Sequence, residues 1–407
     1  MAFLESNNLL SNCQHGFRNN RSCITQLLEV MEDFTKLTDL KHNIDVVYLD
    51  FKKAFDSVPH KRLFSKLQAY GLAGHVLNWV KDFLTNRKQR VVVNDVCSEF
   101  RNVLSGVPQG SVIGPLLFIL YINDLPLVLQ TTCKIFADDT KIYSITDNMH
   151  ALQDDLYSLF DWSEKWKMNF NISKCKIMHI GKNNPLHVYY VDRDNTVMLS
   201  VCNSEKDVGV IFDNGLRFDL HINESINRAN RLLGMIYRSF TYLDTFIFIT
   251  LYKMLIRSVL EYGNCIWSPL YKRQSIAIEK VQRRATRLLP TAQLMSYEER
   301  LRYLKLPSLK YRRKRGDLIQ LYKIVHRIDN IDYNLFFKFS HVTFTRGDKY
   351  KIYVTCNSTS IRQNSFISRT VKSWNKLSLH AKCSESLNAF KNAIDKELVN
   401  EMYVYDE

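Results

Sequence analysis

Apolar residues recur along this chain with two periods, those of strands and of helices. Runs of β-branched and aromatic residues predict short strands, and apolar residues at helical spacing predict helices. The predicted strands lie at residues 44–49, 90–96, 175–180 and 208–212, with two more flanking Asp138 and Asp139. The predicted helices lie at residues 24–37, 63–67, 76–83, about 111–122 and 152–166, and helices dominate after residue 222. The sequence therefore predicts a mixed α/β domain followed by a helical one.

A strong turn signal lies at Asp213-Asn214-Gly215, between apolar runs at residues 208–212 and 216–218. Asn-Gly between two apolar runs is the strongest short-range signal of a β-hairpin. The sequence therefore predicts a hairpin over residues 208–218.

The composition of the 407 residues, 46% hydrophobic and 24% charged, is that of a folded globular protein with two or three domains. The longest apolar run is far shorter than a membrane span, and no basic segment precedes an apolar one at the start. The nine cysteines contain no C-x-x-C pair and no zinc-ligand spacing, which favours reduced thiols. We therefore expect a soluble intracellular chain with no membrane partner.

The net charge of +15 is concentrated in one part of the chain. Residues 1–250 contain 27 Lys and Arg and 27 Asp and Glu, whereas residues 251–350 contain 21 against 8, a net charge of +13. So uneven a block favours binding to a polyanion such as nucleic acid. The alternative is a solvated helical face that carries the charge without a ligand.

Three acidic residues mark candidate chemistry. Asp50 ends the buried run at 44–49, and Asp138 and Asp139 are adjacent between two short apolar runs. Adjacent carboxylates repel each other, and Mg²⁺ is a common partner because it takes oxygen ligands and shares them with phosphates. If the three converge, they form a two-metal site for phosphoryl or nucleotidyl transfer. The alternative is that each is an ordinary turn or cap residue.

Five segments occur in a fixed order: QHGFRNNRSCITQLL, LDFKKAFDSV, SGVPQGSVIGPLLFILYINDLP, FADD and VGVIFDNGLRF. In this order they resemble the reverse transcriptases of non-LTR retrotransposons, the jockey-like elements in particular. EKVQRRATRLL and NSFISRTVKSWNKL are similar to the tail of such elements, so the resemblance covers essentially the whole chain. It implies an RNA-directed DNA polymerase that uses an RNA template, a DNA primer and dNTPs.

The fold that the resemblance implies is an α/β palm, a small antiparallel sheet backed by helices. Partial fingers precede or interrupt the palm, and a mainly helical, basic thumb and a C-terminal extension follow it. The segments are residues 1–43 for the partial fingers, 44–220 for the palm with inserted fingers elements, 221–320 for the thumb-like region and 321–407 for the extension.

The resemblance also implies the metal ligands. Asp50 and Asp138 match the aspartates that hold both Mg²⁺ ions, with Mn²⁺ as an alternative ion. Asp139 matches the second acid of the pair, nearer the primer terminus, and the backbone carbonyl of Phe51 supplies a further ligand. One ion lowers the pKa of the primer 3′-hydroxyl, and the other neutralises the triphosphate.

Four further positions match residues that contact the nucleotide in that family. Phe55 matches the bulky residue that stacks beneath the incoming sugar and excludes a 2′-hydroxyl, although the residues alone favour a core phenylalanine. Gln109 matches the nucleotide-contacting glutamine, and Gly110 lets the backbone approach; the alternative is a turn at a helix start. Lys174 matches a lysine that protonates pyrophosphate, or it is a surface lysine.

Basic residues are the expected contacts to nucleic acid. Arg18 and Arg21 match fingers positions that touch the template, or they are solvent-exposed. The hairpin over 208–218 corresponds to the element that grips the primer, and the basic region after residue 257 would hold the duplex by its phosphates. In that region the expected contacts are Arg283, Arg284 and Arg287. Residues 311–315 (YRRKR) form a solvated helix end, which we prefer, or a nuclear-import signal, so a nuclear location is favoured only weakly over the cytoplasm.

The sequence departs from the family pattern at its start. Full elements carry an endonuclease ahead of the polymerase, which is absent here, and the match begins inside the fingers. Two hypotheses follow: an active polymerase, or a truncated and catalytically poor nucleic-acid-binding remnant whose triphosphate clamp is incomplete.

Overall fold

A computed structural model describes residues 1–240, 242, 244–340 and 348–405. The chain forms two compact units, each built from two separate stretches. The first joins Met1–Gln26 to His42–Asn203, and the second joins Leu27–Lys41 to the chain from Ser204 onward. The finer division into fingers, palm, thumb and extension stays a prediction, and residues 341–347, 406 and 407 of the expected extension lie outside the described residues.

The first unit is built on a five-stranded sheet. Its strand order is β6 (Thr132–Phe136), β7 (Asp139–Ile145), β1 (Ile44–Leu49), β8 (Lys176–Ile180) and β9 (Ser200–Val201). Its pairs are antiparallel except β8 with β9, which is parallel, so the sheet is mixed rather than the antiparallel one expected. The strands of this unit are β1 (Ile44–Leu49), β2 (Lys88–Gln89), β3 (Val92–Val93), β4 (Val96–Cys97), β5 (Arg101–Asn102), β6 (Thr132–Phe136), β7 (Asp139–Ile145), β8 (Lys176–Ile180) and β9 (Ser200–Val201).

Helices cover this sheet, and the apolar spacing predicted the longer ones. All six residues of β1 are buried. Helix α6 (GPLLFILYI) is buried along most of its length. Residues of both elements belong to one apolar core. The helices are α1 (Ala2–Ser6), α2 (Cys23–Asp39), α3 (Ala54–Ser57), α4 (His60–Ala69), α5 (Gly74–Leu84), α6 (Gly114–Ile122) and α7 (Met149–Trp166). Helix α2 begins in the first unit and continues into the second.

The single strand predicted at residues 90–96 is wrong. The chain instead turns back on itself between β3 and β4, and β2 and β5 pair outside them. The turn residues Asn94 and Asp95 have φ of 47° and 65°, a left-handed conformation that Asn and Asp tolerate better than other residues with a side chain. The valines at 92, 93 and 96 therefore lie in the two arms of a hairpin.

The second unit is mainly helical, as predicted, and contains one two-stranded sheet of β10 (Ser204–Asp207) and β11 (Val210–Asp213). Its helices are α8 (Asp219–Ser239), α9 (Thr245–Leu251), α10 (Ser258–Glu261), α11 (Asn264–Trp267), α12 (Lys272–Arg287), α13 (Tyr297–Tyr303), α14 (Leu309–Val325), α15 (Ser360–Gln363), α16 (Phe366–Lys376), α17 (Leu379–Lys382) and α18 (Leu387–Glu397). A π-helical turn, Tyr252–Arg257, joins α9 to α10. Within the described parts of the chain, no helix combines the length and apolar character needed to cross a bilayer.

The hairpin predicted over residues 208–218 is displaced along the chain. Its turn is at Val208-Gly209, where φ is 43° and 89°, and not at Asn214-Gly215. The carboxylate of Asp213 accepts hydrogen bonds from the N–H groups of Gly215, Arg217 and Phe218, at 3.0, 3.1 and 2.6 Å. The Asp213 side chain therefore stabilises the Asn-Gly segment as the connection between β11 and α8.

A buried polar cluster in the sheet was not predicted. Asp45, in the middle of the apolar run IDVVYL, is fully buried and faces His179 on β8. Its carboxylate lies 2.7 Å from His179 Nδ1 and accepts from the Tyr189 hydroxyl at 2.8 Å and from Asn184 at 2.9 Å. Burial raises the pKa of Asp45, but the hydrogen bonds from His179, Asn184 and Tyr189 outweigh it and hold the pKa below its ordinary value of 3.8.

We predict that Asp45→Asn lowers the free energy of unfolding by about 2–4 kcal/mol at pH 7, because it breaks a buried charge-assisted network. Since the pKa of Asp45 is lower in the folded state, this contribution is present above pH 3.8 and is lost as the pH falls through the folded pKa. Urea unfolding at pH 7 and pH 3 measures it, with the exposed Asp161→Asn as control. An equal loss at both pH values would contradict the assignment.

Candidate active site

Two candidate acids meet at one end of the sheet. The pairing of β1 with β7 ends at Leu49 and Thr140, and β6 and β7 are joined by the two-residue turn Ala137-Asp138. Asp50 directly follows Leu49 and therefore lies beside this turn. The register of β1 and β7 thus brings Asp50 and Asp138 to the same end of the sheet.

The electrostatics of Asp138 confirm this proximity. Asp138 is half-buried, and burial, together with the nearby negative charge of Asp50, raises its pKa above the ordinary value of 3.8. The next residue, Asp139, is exposed and begins β7. The site therefore holds two close carboxylates, of which Asp50 destabilises the charge of Asp138, with a third acid adjacent in sequence.

The turn that carries Asp138 is held from outside the sheet by the QHG segment near the start of the chain. Ala137 has a left-handed φ of 56°, which is strained for a residue with a side chain. Its N–H donates to Gln14 Oε1 at 2.9 Å, and Gln14 Nε2 donates to its carbonyl at 3.3 Å. A Cβ on Gly16 would lie 2.3 Å from the Ala137 nitrogen, so this close approach requires glycine. Sequence reasoning missed the roles of Gln14 and Gly16, for which the QHG motif was the signal.

The groups around Asp50 and Asp138 fit a hard divalent cation in kind, because they are oxygen donors. Asn171 N–H donates to the Asp50 carbonyl and Lys52 N–H to that of Asn169, so the intervening Phe51 presents its own carbonyl on the β7 side of the chain. In the described ranges, however, no three His, Cys, Asp or Glu side chains are gathered closely enough to hold an ion. The arrangement is a carboxylate pair and not a preassembled cluster.

Lys174 is the cation closest to this pair that the described geometry records. Its Nζ lies 3.5 Å from Asp50 Oδ2, and its side chain is 66% exposed. An exposed ion pair of this kind contributes little stability, so the lysine is free to exchange partners. The structure therefore brings Lys174 to the acidic site, while its predicted role stays a prediction.

Phe55 lies in an aromatic group at the edge of the core and not within it. Its ring stacks on Phe118 of α6, with centroids 4.4 Å apart, and meets Phe17 edge-on at 6.3 Å. Phe55 is partly exposed, and Phe17 is 49% exposed. Because Phe17 is next to Gly16, which touches Ala137, one short segment contacts both the Asp138 turn and the Phe55 ring.

The loop that carries Gln109 is anchored to the segment that carries Phe55. Gln109 Nε2 donates to Asp56 Oδ1 at 2.9 Å, and the N–H of Gly106 donates to the Val58 carbonyl at 2.8 Å. Gly106 has φ of 88°, and a Cβ there would lie 2.7 Å from the Asp56 Cα. Gly110 also has a positive φ, 79°, but its missing side chain would point into open space. The positive φ at Gly106 and Gly110 is strained for a residue with a side chain, so both positions favour glycine.

Arg18 and Arg21 hold the opening segment of the chain together. Arg18 is buried, forms a two-point ion pair with Glu5 at 2.6 and 3.0 Å, and donates to the Ser11 carbonyl at 2.6 Å. Arg21 donates to the Asn12 carbonyl at 2.6 Å. The expectation that these are solvent-exposed arginines is wrong for Arg18, whose charge Glu5 neutralises, and contact of either residue with the template stays a prediction.

The three arginines predicted to bind nucleic acid lie on α12. Arg284 and Arg287 are exposed one turn apart, whereas Arg283 is partly covered and lies over the ring of Tyr297 at 4.9 Å. Arg284 also approaches Asn230 of α8 at 3.4 Å. Two of the three are therefore available at the surface.

The basic run at residues 311–315 is neither a solvated helix end nor an accessible import signal. It lies in the first turns of α14, and none of its five residues is exposed. Its ion pairs are Arg312 with Glu261, Lys314 with Glu401 and Arg315 with Asp395. Both earlier interpretations need exposed side chains, and the acids that neutralise this run are too distant in sequence to have been recognised.

The chain is similar to several known proteins. The family described as reverse transcriptase (RNA-dependent DNA polymerase) matches residues 1–236. The probable RNA-directed DNA polymerase from transposon X-element of Drosophila melanogaster is 28% identical over 303 residues, 71% of this chain and 33% of the relative. The RNA-directed DNA polymerase from mobile element jockey of Drosophila funebris is 30% identical over 221 residues, 51% of this chain and 24% of the relative. The chain thus spans a third or less of these relatives.

Part of this chain also matches a solved structure of telomerase from Candida albicans in complex with a fragment of telomeric RNA. The similarity covers 69% of this chain and 52% of that chain, at 11% identity and a TM-score of 0.38. So distant a likeness carries no argument about the site.

We predict that Asp138→Asn raises the free energy of unfolding at pH 7 by up to about 1 kcal/mol, because it removes the repulsion with Asp50. Since the folded pKa of Asp138 is raised, ionisation costs stability as the pH rises from 3.8 through that folded value. The gain should therefore vanish below pH 3.8. Urea unfolding at both pH values checks this, with the exposed Asp154→Asn as control, and a loss of stability at pH 7 would contradict it.

Proposed function

Because the chain belongs to the reverse transcriptase (RNA-dependent DNA polymerase) family, we propose that it is the RNA-directed DNA polymerase part of a non-LTR retrotransposon protein. The observation that carries the proposal is the approach of Asp50 and Asp138 at the end of β1. The reaction is attack of a primer 3′-hydroxyl on the α-phosphorus of a dNTP, with pyrophosphate leaving. An RNA template directs the choice of nucleotide.

Two divalent cations, Mg²⁺ with Mn²⁺ as an alternative, would be held by Asp50, Asp138, Asp139 and the Phe51 carbonyl. When bound, such ions lower the pKa of the attacking hydroxyl and neutralise charge on the triphosphate. The protein's own contribution is to hold two carboxylates close together in spite of their repulsion. The Gln14 hydrogen bonds to Ala137 supply part of the rigidity that this requires.

Lys174 would act as the proton donor to the leaving pyrophosphate. Its ammonium lies 3.5 Å from Asp50, so a change of side-chain rotamer would bring it to a phosphate bound at the carboxylates. Because Lys174 is largely exposed, its ammonium keeps its mobility and can turn from Asp50 to the product.

The incoming nucleotide would lie against Phe55, Gln109 and Gly110. The Phe55 ring is fixed by its stack on Phe118 and so presents a rigid surface beneath the sugar. A ring fixed there leaves no room for a 2′-hydroxyl, which selects deoxynucleotides. The bond from Gln109 to Asp56 aligns the side-chain amide, and Gly110 lets the backbone approach.

The duplex of template and primer would be held by its phosphates through the exposed arginines of α12, Arg284 and Arg287, with Arg283 beside them. The hairpin of β10 and β11 is the candidate primer-gripping element, with its turn at Val208-Gly209. The alternative of a catalytically poor remnant draws no support from the site, since Asp50, Asp138 and Gln109 all have defined positions in it.

Primer extension on an RNA template tests the proposal. We predict that Asp50→Asn and Asp138→Asn each reduce the rate roughly 10²-fold or more with Mg²⁺, because each removes a charge that acts at the reacting phosphate. Asp161→Asn, which changes an exposed aspartate on α7, is the matched control and should leave the rate unchanged. Equal binding of a primer–template duplex by all variants ensures that chemistry and not folding is measured. Extension by Asp50→Asn at the unaltered rate would overturn the proposal.

Sugar selection tests the role of Phe55. We predict that Phe55→Val lowers the preference for dNTPs over rNTPs, measured as the ratio of kcat/KM values, by roughly 10- to 100-fold, because the ring no longer occupies the space of a 2′-hydroxyl. Phe83→Val, at another partly buried phenylalanine of the same unit, is the control and should keep the preference. Unaltered selectivity in Phe55→Val would assign Phe55 to packing alone.

A further inference from the structure

A cavity of about 410 Å³ lies among α12, α14 and α16 in the second unit. The basic side chains on its wall are Lys310, Arg313, Lys314 and Arg369, and the hydroxyls beside them are Ser275, Thr370 and Ser373. Two acids, Asp317 and Glu401, also line it, which leaves the wall with a net charge of +2. A cavity with more basic than acidic side chains, supplied with hydroxyl donors, favours an oxyanion over any other small ligand.

Arg313 is the unusual member of this wall. Only 6% of the residue is exposed, and its Nη2 donates to Ser275 Oγ at 2.7 Å. Its Nη1 is buried and has no hydrogen-bond partner among the residues that the structure describes. A buried guanidinium with an unmatched donor is rare in proteins, because the cost of removing the charge from water is then not offset. An anionic ligand in the cavity would supply the missing acceptor once the guanidinium turns to bring Nη1 to the cavity wall.

The acids nearest the cavity are already engaged and do not supply that acceptor. Arg369 binds Asp317 through two hydrogen bonds, both of 2.9 Å, and Lys314 binds Glu401 at 2.6 and 2.8 Å. A third acid, Glu279, accepts from the Tyr297 hydroxyl and from backbone N–H groups at the start of α14. Glu279 and Asp317 are near enough to offset part of the charge of Arg313, but neither accepts a hydrogen bond from its Nη1.

We propose that this cavity is a phosphate-binding site, in which Arg313 and Lys310 hold a phosphate group with help from the Ser275 and Ser373 hydroxyls. The phosphate is either free phosphate or one carried by a nucleic-acid backbone. The residues that line this cavity include neither the carboxylate pair nor the three arginines of α12. In the basic run at residues 311–315, Arg313 lies on the buried side of α14, while Arg312 and Arg315 form ion pairs. A phosphate site gives a role to this one buried arginine.

The test uses the full chain with two probes, inorganic phosphate and an RNA–DNA duplex. Phosphate affinity is measured from the rise in the thermal unfolding temperature as phosphate is added, and duplex affinity from fluorescence anisotropy. The variants are Arg313→Gln and Lys310→Gln. Lys396→Gln, at an exposed lysine of α18 that does not line the cavity, is the matched control. Because Lys310 is exposed, its variant gives a result even if Arg313→Gln does not fold.

We expect Arg313→Gln to weaken phosphate binding about 10- to 100-fold and Lys310→Gln about 10-fold, with no change in the control, because each removes a charge-assisted hydrogen bond. Loss of affinity for phosphate alone identifies free phosphate as the ligand. Loss for the duplex, with or without loss for phosphate, identifies a backbone phosphate. Unaltered affinity of both variants for both probes, or no saturable binding of either probe to the unaltered chain, overturns the proposal.

Failure of this proposal is distinguishable from failure of the proposed polymerase function. Phosphate binding needs no primer extension, so Asp50→Asn should bind phosphate at this site as the unaltered chain does. Conversely, Lys310→Gln should extend a primer at an unaltered rate when the duplex is saturating.

Discussion

The antiparallel pairing of β1 with β7 is the constraint on which the active site depends. It ends at Leu49 and Thr140, so the chain places Asp50 beside the turn that carries Asp138. A register shifted by one residue would turn every side chain of β1 to the opposite face of the sheet. The position of β1 is fixed by its buried contacts with α6 and β8, and above all by the Asp45 cluster. These contacts therefore keep Asp50 in the position that the carboxylate pair requires. The packing of the core therefore offsets the repulsion between the charges of Asp50 and Asp138.

Much of the first unit could be predicted from its sequence, because its elements follow simple hydrophobic periods. The run IDVVYL predicted β1, and the position of its last residue predicted Asp50 at the strand end. Asp138 and Asp139 could be expected between two strands, and the structure divides them, with Asp138 in the turn and Asp139 in β7. These features are local in sequence, which is why a single sequence carries them.

The features that could not be predicted depend on partners distant in sequence. Asp45 lies within an apolar strand, and its partners His179 and Tyr189 are 134 and 144 residues further along the chain. The basic block after residue 250 predicted a charged surface, and most of its described Lys and Arg side chains are exposed, but ion pairs with distant acids cover the part at residues 311–315. The Asn-Gly signal failed for the opposite reason, because the side chain of Asp213 organises that segment locally in a way that the dipeptide alone does not show.

The division of α2 between the two units has a consequence for how the protein is made. From Leu27 onward this helix belongs to the second unit, where Glu32 binds Arg362 at 2.6 and 2.8 Å and the ring of Phe34 meets that of Phe212. A ribosome completes α2 more than 300 residues before it reaches Arg362. Phe34 cannot meet the Phe212 ring until about half of the chain is made, and Glu32 cannot meet Arg362 until later still. Contacts of such sequence separation form slowly. Nascent chains should therefore rely on chaperones, and truncated ones should aggregate.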